Sequence, residues 1–145
     1  MKKIQEIINR SYRIKDFVLL GLRLVLAYGF FNPAIMKLKD ISSIAEWFES
    51  INIPLPVLNA YLATGTELLG AILLTLGLLN RWISIPLIIT MIVAIVTVHW
   101  GNGFDAGDNG LEIPLYYILM LLTLLSFGAG KCSLDQFLKL NRIKN

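Results

Sequence analysis

Four long apolar runs leave this chain few ways to fold. They lie at about 17–36, 58–79, 82–100 and 112–127. A run near 20 residues is what a bilayer core requires of a helix. Inside lipid, backbone groups must satisfy one another, so single runs cross as helices. The runs therefore predict an all-α integral membrane protein. The expected architecture is an up-down four-helix bundle, one transmembrane domain over 1–145. Composition agrees: 56% of residues are hydrophobic and 16% charged, against about 45–50% and about 25% in soluble domains. Mean hydropathy is +0.67.

Charge placement predicts the topology. Ten of the thirteen cations lie in the N-terminal segment, at Arg81, or in the C-terminal tail, while Lys37 and Lys39 alone occupy the other connections. The positive-inside rule then puts both termini and Arg81 in the cytoplasm, and connections 37–56 and 101–111 outside. Cations flanking apolar runs are a membrane pattern. They do not make the clustered basic surface of a nucleic-acid binder. No A-x-A cleavage site follows the first run, so that helix is expected to be retained as the insertion signal.

Shorter features complete the chain. Ile4, Ile7, Ile8 and Tyr12 share one face of an amphipathic segment at 4–13, suited to a membrane surface. Pro33 is expected to kink the outer end of the first span. Ser43-Ile44-Ala45-Glu46 has a capping-box pattern, predicting an interfacial helix at about 43–51 with Trp47 at headgroup level. Gly65, Gly70 and Gly77 permit close helix approach, within the bundle or between subunits. Residues 131–145 read as a polar tail.

Chemistry-bearing residues are few. Intramembrane charges are costly and mark functional sites or internal pairs. Glu67 lies nine residues into its span, about 13 Å at 1.5 Å per residue. Arg23 lies deeper, about 9 Å below it on the same rise, within reach of Glu67 or able to snorkel to the interface. His99, the only histidine, ends the third run, and Glu112 opens the fourth. A glycine-rich loop with Asp105 and Asp108 joins them. These residues predict a polar seam from Arg23 through Glu67 to His99, Glu112 and Lys37. His99, Glu112, Glu67 and Arg23 are the candidate catalytic set; Lys37, His99 and Trp100 are the candidate cofactor contacts. An ion-pair network that only fixes helix register is the alternative. The single cysteine, Cys132, rules out an intrachain disulfide framework or a zinc site of several thiolates. Two ligands, His99 and Glu112, are too few for a closed metal site. A metal would need Asp105, Asp108 or a second subunit.

In order along the chain, GLRLVLAYGFF, NPAIMKL, ELLGAILLTLGLLNRW, HWGNGF, GLEIPLYY and GAGKCSLDQFL resemble the DoxX family of small four-helix membrane proteins. The likeness covers roughly 17–137. It looks closest to the branch encoded beside maturation systems for small copper-binding, modified peptides. The resemblance implies a multi-pass protein of the bacterial cytoplasmic (inner) membrane. Relatives include a subunit of a thiosulfate:quinone oxidoreductase and components of redox and oxidative-stress systems. The family's recurring polar positions fall on Arg23, Lys37, Glu67, His99 and Glu112.

Two functional expectations result. In the first the chain is a membrane redox component, an oxidoreductase subunit if an enzyme. A quinone would sit near the outer mouth, His99 and Glu112 would exchange protons with it, and Glu67 and Arg23 would relay. Histidine suits this because its unperturbed pKa lies near neutrality. In the second it is a non-enzymatic membrane partner that handles copper or a copper-peptide system through His99, Asp105 and Asp108. A passive channel or transporter ranks third, because polar groups are few. The expected surroundings are the lipid bilayer, a redox or maturation partner and a homo-oligomer, without nucleic acid.

Overall fold

The computed structural model describes the backbone of residues 2–143 and the side chains of residues 14–139. All regular structure among the described residues is helical. Helix α1 runs Lys2–Lys39, α2 Ile41–Ser50, α3 Pro56–Leu76, α4 Asn80–Ala94, α5 Glu112–Phe127 and α6 Leu134–Ile143. A π-helical turn, Ile95–His99, and a 3-10 turn, Trp100–Asn102, extend α4. Three segments are long and apolar enough to cross a bilayer: Ile14–Lys39, Pro56–Leu76 and Asn80–Asn102. Helix α5 is apolar and has 16 residues. That is about 24 Å, against a hydrocarbon core of about 30 Å.

Two helix pairs make the bundle: α1 lies along α3, and α4 along α5. They meet through a core of Leu26, Phe30, Leu74, Leu87, Leu121 and Leu124, each at most 2% exposed. Phe30 stacks edge-to-face on Tyr117 at 5.3 Å, joining α1 to α5. Gly70 gives α4 a seat on α3, since a Cβ there would stand 2.8 Å from the Leu87 methyls. Around Gly65 the space is open, so of the three small-residue positions it alone serves no contact within the bundle. Helix α2 lies across the start of α3, with Phe48 and Ala45 on Ala60.

The sequence expectations change in several places. Helix α1 reaches Lys39 with Pro33 inside it, three residues beyond the end expected at 36. The amphipathic face read at 4–13 falls outside the described side chains. Helix α2 is capped by Asp40, not through a Ser43–Glu46 box. Asp40 accepts the Ser43 N–H at 3.1 Å and the hydroxyls of Ser43 and Ser42. The side-chain and backbone bonds from Ser43, with help from Ser42, hold its carboxyl below the usual carboxylate range. The polar tail is also more than a tail. Ser133 accepts the Gln136 N–H at 3.3 Å and starts α6. Asp135 Oδ1 accepts the Leu79 N–H at 3.1 Å, satisfying one free donor at the start of α4.

Gly77 ends α3 in the left-handed region, φ 70°, and the Leu78 N–H returns to the Leu73 carbonyl at 3.0 Å. This is the Schellman arrangement. A Cβ at Gly77 would also stand 2.8 Å from the Arg23 guanidinium carbon and 2.7 Å from Ser133 Cβ. Gly77→Ala is therefore expected to cost about 2 kcal/mol from the left-handed backbone and the contact together. Reversible unfolding in mixed micelles measures it; a change under about 0.5 kcal/mol would mean the turn can relax.

Candidate functional site

The two ends of the bundle hold two different polar arrangements. At the lower end, where α3 turns into α4, Arg23 is 1% exposed. It donates to four carbonyls: Nε to Leu74 at 2.9 Å, Nη2 to Thr75 at 3.1 Å, and Nη1 to Ala129 at 2.9 Å and Cys132 at 2.8 Å. The last carbonyls of a helix lack intrahelical donors and carry its negative dipole end. The C-terminus of α3 thus supplies acceptors closer than any carboxylate. The seam predicted from Arg23 to Glu67 is not present. Arg23 ties α1 to the end of α3 and to the segment after α5.

At the upper end α2, the connections 51–55 and 101–111 and the upper halves of α1, α3, α4 and α5 surround a cavity of about 1140 Å³. Its walls are mostly apolar. Lys37, Glu67 and His99 border it, and Glu112, Trp100 and Arg23 do not. Glu67 is 3% exposed. Both its oxygens meet Lys37 Nζ, at 2.6 and 2.8 Å. Lys37 sits two residues from the end of α1, where its chain could extend outward to water. It turns inward because a buried carboxylate without a counter-charge costs several kcal/mol. Gly29 leaves room for Tyr117 at the cavity floor, where a Cβ would overlap the tyrosine hydroxyl.

His99 is aimed by its local backbone. The π-helical turn Ile95–His99 is wider than an α-helical turn and so redirects the chain beyond α4. The ring Nδ1 lies 2.7 Å from the Asn109 carbonyl oxygen. A carbonyl only accepts, so Nδ1 carries the hydrogen, and in the neutral ring Nε2 keeps its lone pair. Asn102 Nδ2 donates to the same carbonyl at 3.2 Å and to Val98 at 3.1 Å. Glu112 is used differently from the prediction. Its Oε2 accepts the Ala106 N–H at 3.0 Å, pinning the connection onto the start of α5. Asp105 accepts the Gly107 N–H at 2.6 Å. Trp100 is 73% exposed.

The structure thus brings Lys37, Glu67 and His99 to one cavity and leaves Arg23, Glu112 and Trp100 off it. Among the described residues no three His, Cys, Asp or Glu side chains come together as metal ligands. Sequence reading missed Tyr117 and the Asn109 carbonyl. A tyrosine inside an apolar run was a usable signal for the first. A backbone carbonyl leaves none.

The fold and these two sites define a small helical membrane protein with an ion pair buried in an apolar cavity. The chain belongs to the DoxX family, whose sequence model matches residues 18–100. That stretch contains Arg23, Lys37, Glu67 and His99. Two proteins of Haemophilus influenzae (strain ATCC 51907 / DSM 11121 / KW20 / Rd), each named "Uncharacterized protein", are similar to it. One is 36% identical over 125 residues, 83% of each chain. The other is 30% identical over 131 residues, 88% of this chain and 95% of its own. "Putative oxidoreductase CatD" of Bacillus subtilis (strain 168) is 31% identical over 129 residues, 89% of this chain and 90% of its own. No solved structure matches the chain.

Proposed function

We propose that this DoxX protein is a quinone-binding component of a redox system in the bacterial cytoplasmic membrane. Its topology in this reading is four spans with both termini in the cytoplasm. Helix α5 counts as the fourth because it runs beside α4, with Leu121 and Leu124 fully buried, from the His99 end to the Arg81 end. Arg81 donates to Ser126 at 3.0 Å, and Lys15 lies over the Phe127 ring at 4.6 Å. The lower end thus gathers cations and is the cytoplasmic one by charge bias. The cavity then lies toward the outer face.

The observation that carries the reading is one apolar cavity holding both His99 and the Lys37–Glu67 pair. Pockets for small molecules are mostly apolar, with a few placed polar groups. A quinone ring fits the apolar walls, and its oxygens need hydrogen-bond partners. With Nδ1 held by the Asn109 carbonyl, His99 Nε2 accepts from a quinol hydroxyl in the neutral ring and donates to a quinone oxygen in the protonated one. Lys37 offers a donor at the buried end while Glu67 holds its charge. The name of the Bacillus subtilis relative points the same way.

The test is thermal unfolding of the purified full chain in detergent, with and without a quinone. Binding to the folded state alone gives about 2.7 kcal/mol at a hundredfold excess over Kd. We expect a quinone-dependent rise in Tm that falls away in His99→Ala. No rise with any quinone in the wild type would overturn the reading.

A further inference from the structure

We infer that the occupant of this cavity enters sideways from the bilayer, between α3 and α4, and keeps an apolar chain in that gap. The inference rests on the quinone reading and adds the form of quinone taken, one carrying an isoprenoid or alkyl tail.

The gap follows from how α3 and α4 are joined. They are held together at the Gly77–Leu79 turn and where Gly70 seats Leu87. Above that contact both helices border the cavity. Leu62 of α3 and Ile89 and Val93 of α4 line it while being 56%, 56% and 44% exposed. Residues that line a cavity and also face outward stand at its edge. All three are apolar, while Thr66 and Thr90 of the same helices line the cavity half-buried. Leu62 lies six residues into α3 and Ile89 nine into α4, about 9 and 14 Å along the axes. Both are at hydrocarbon depth in a spanning helix.

The water-facing side is built otherwise. Trp47, Phe48 and Ile53 border the cavity from α2 and the turn after it, and Ala106 and Asn109 from the 101–111 connection. These residues form a roof, although Trp47, Ala106 and Asn109 are themselves exposed, and Asn52 and Asn109 make this rim partly polar. Hydrogen bonds from His99 and Asn102 to Asn109, and from Ala106 to Glu112, hold that roof in place. A lipid-borne molecule meets an apolar doorway, and a water-borne one meets a tied roof. With the ring at His99 and Lys37–Glu67, a chain of more than a few carbons has its lowest-cost course between Leu62 and Val93. There it stays out of water.

The experiment compares a tailless benzoquinone with the same ring bearing a decyl tail, binding to the full chain in nanodiscs. In the wild type the tailed form is expected to bind at least about tenfold tighter than its partition into lipid alone explains. Ile89→Trp and Val93→Trp change exposed side chains, so the fold should survive. Each is expected to weaken the tailed quinone about tenfold and leave the tailless one within about twofold. Equal effects on both forms, or none on either, would overturn the doorway.

If the wild type binds neither quinone, the functional reading fails and the doorway is tested separately. Ala94→Trp places a reporter at the cavity border, with Trp47, Trp82 and Trp100 changed to phenylalanine. Phospholipid brominated on its acyl chains should quench that single tryptophan if the doorway admits chains. Absence of quenching would show the gap closed to lipid and overturn the inference.

Discussion

Arg23→Met is expected to destabilise the protein by about 3–5 kcal/mol, among the largest effects of any single change. The side chain is fully buried and serves four carbonyls on two segments, the end of α3 and the stretch after α5. Methionine fills much of the volume but donates nothing, so both sets of acceptors lose their partners together. Each buried acceptor left unpaired costs about 1–3 kcal/mol, less where the ends can relax. Arg23→Lys keeps the charge with one donor group in place of a planar fork and should fall between. Detergent-titrated unfolding reads both. A loss under about 1 kcal/mol for methionine would mean that these helix ends are satisfied in another way. If the methionine variant does not accumulate, the lysine variant still orders the two outcomes.

The buried ion pair should respond asymmetrically. Lys37→Met leaves Glu67, whose side chain is 4% exposed, without its counter-charge. A buried charge stripped of its partner typically costs about 3–5 kcal/mol. Glu67→Gln leaves Lys37, which is 22% exposed and close to the end of α1. Its four-carbon stem can carry the ammonium outward, so a loss of about 1–2 kcal/mol is expected. The double variant removes both charges and should be more stable than Lys37→Met alone. Such a pair in contact is non-additive by about 0.5–3 kcal/mol. Equal losses in the two single variants, with simple addition in the double, would show that the pair carries no coupling. In ligand titrations both single variants should also lose quinone binding if the pair anchors the ring.

Much of this was legible from residue order. Run length and the cation count required helices in lipid, because an unpaired backbone group there has no water to turn to. The same cost marked Arg23 and Glu67 as needing partners. The partners themselves were not legible. Depth alone made Arg23 and Glu67 look like a pair, since both are charged and lie about two turns apart. A helix C-terminus does not register as an acceptor in a sequence, yet the Leu74 and Thr75 carbonyls there are two of the four that Arg23 uses. Lys37 looked like an outer-mouth residue because helix position was visible and side-chain direction was not.

His99 shows the same division. Its place at the end of an apolar run is written in the chain. Its tautomer and aim depend on a π-helical turn and on the carbonyl of Asn109, ten residues away. Glu112 occupies the position expected of it, but the loop backbone reaches it first. The C-terminal helix was missed although Ser133 and Gln136 have capping-box spacing, because the surrounding composition is polar.

By itself the sequence determined a helical membrane protein with intramembrane charges, since apolar length and the cost of burying charge are properties of residues. Only the tertiary structure decided which charge meets which partner and which groups share a cavity. Those choices depend on helix pairing, on close approach at Gly70 and Gly77, and on backbone acceptors that carry no letter in the sequence.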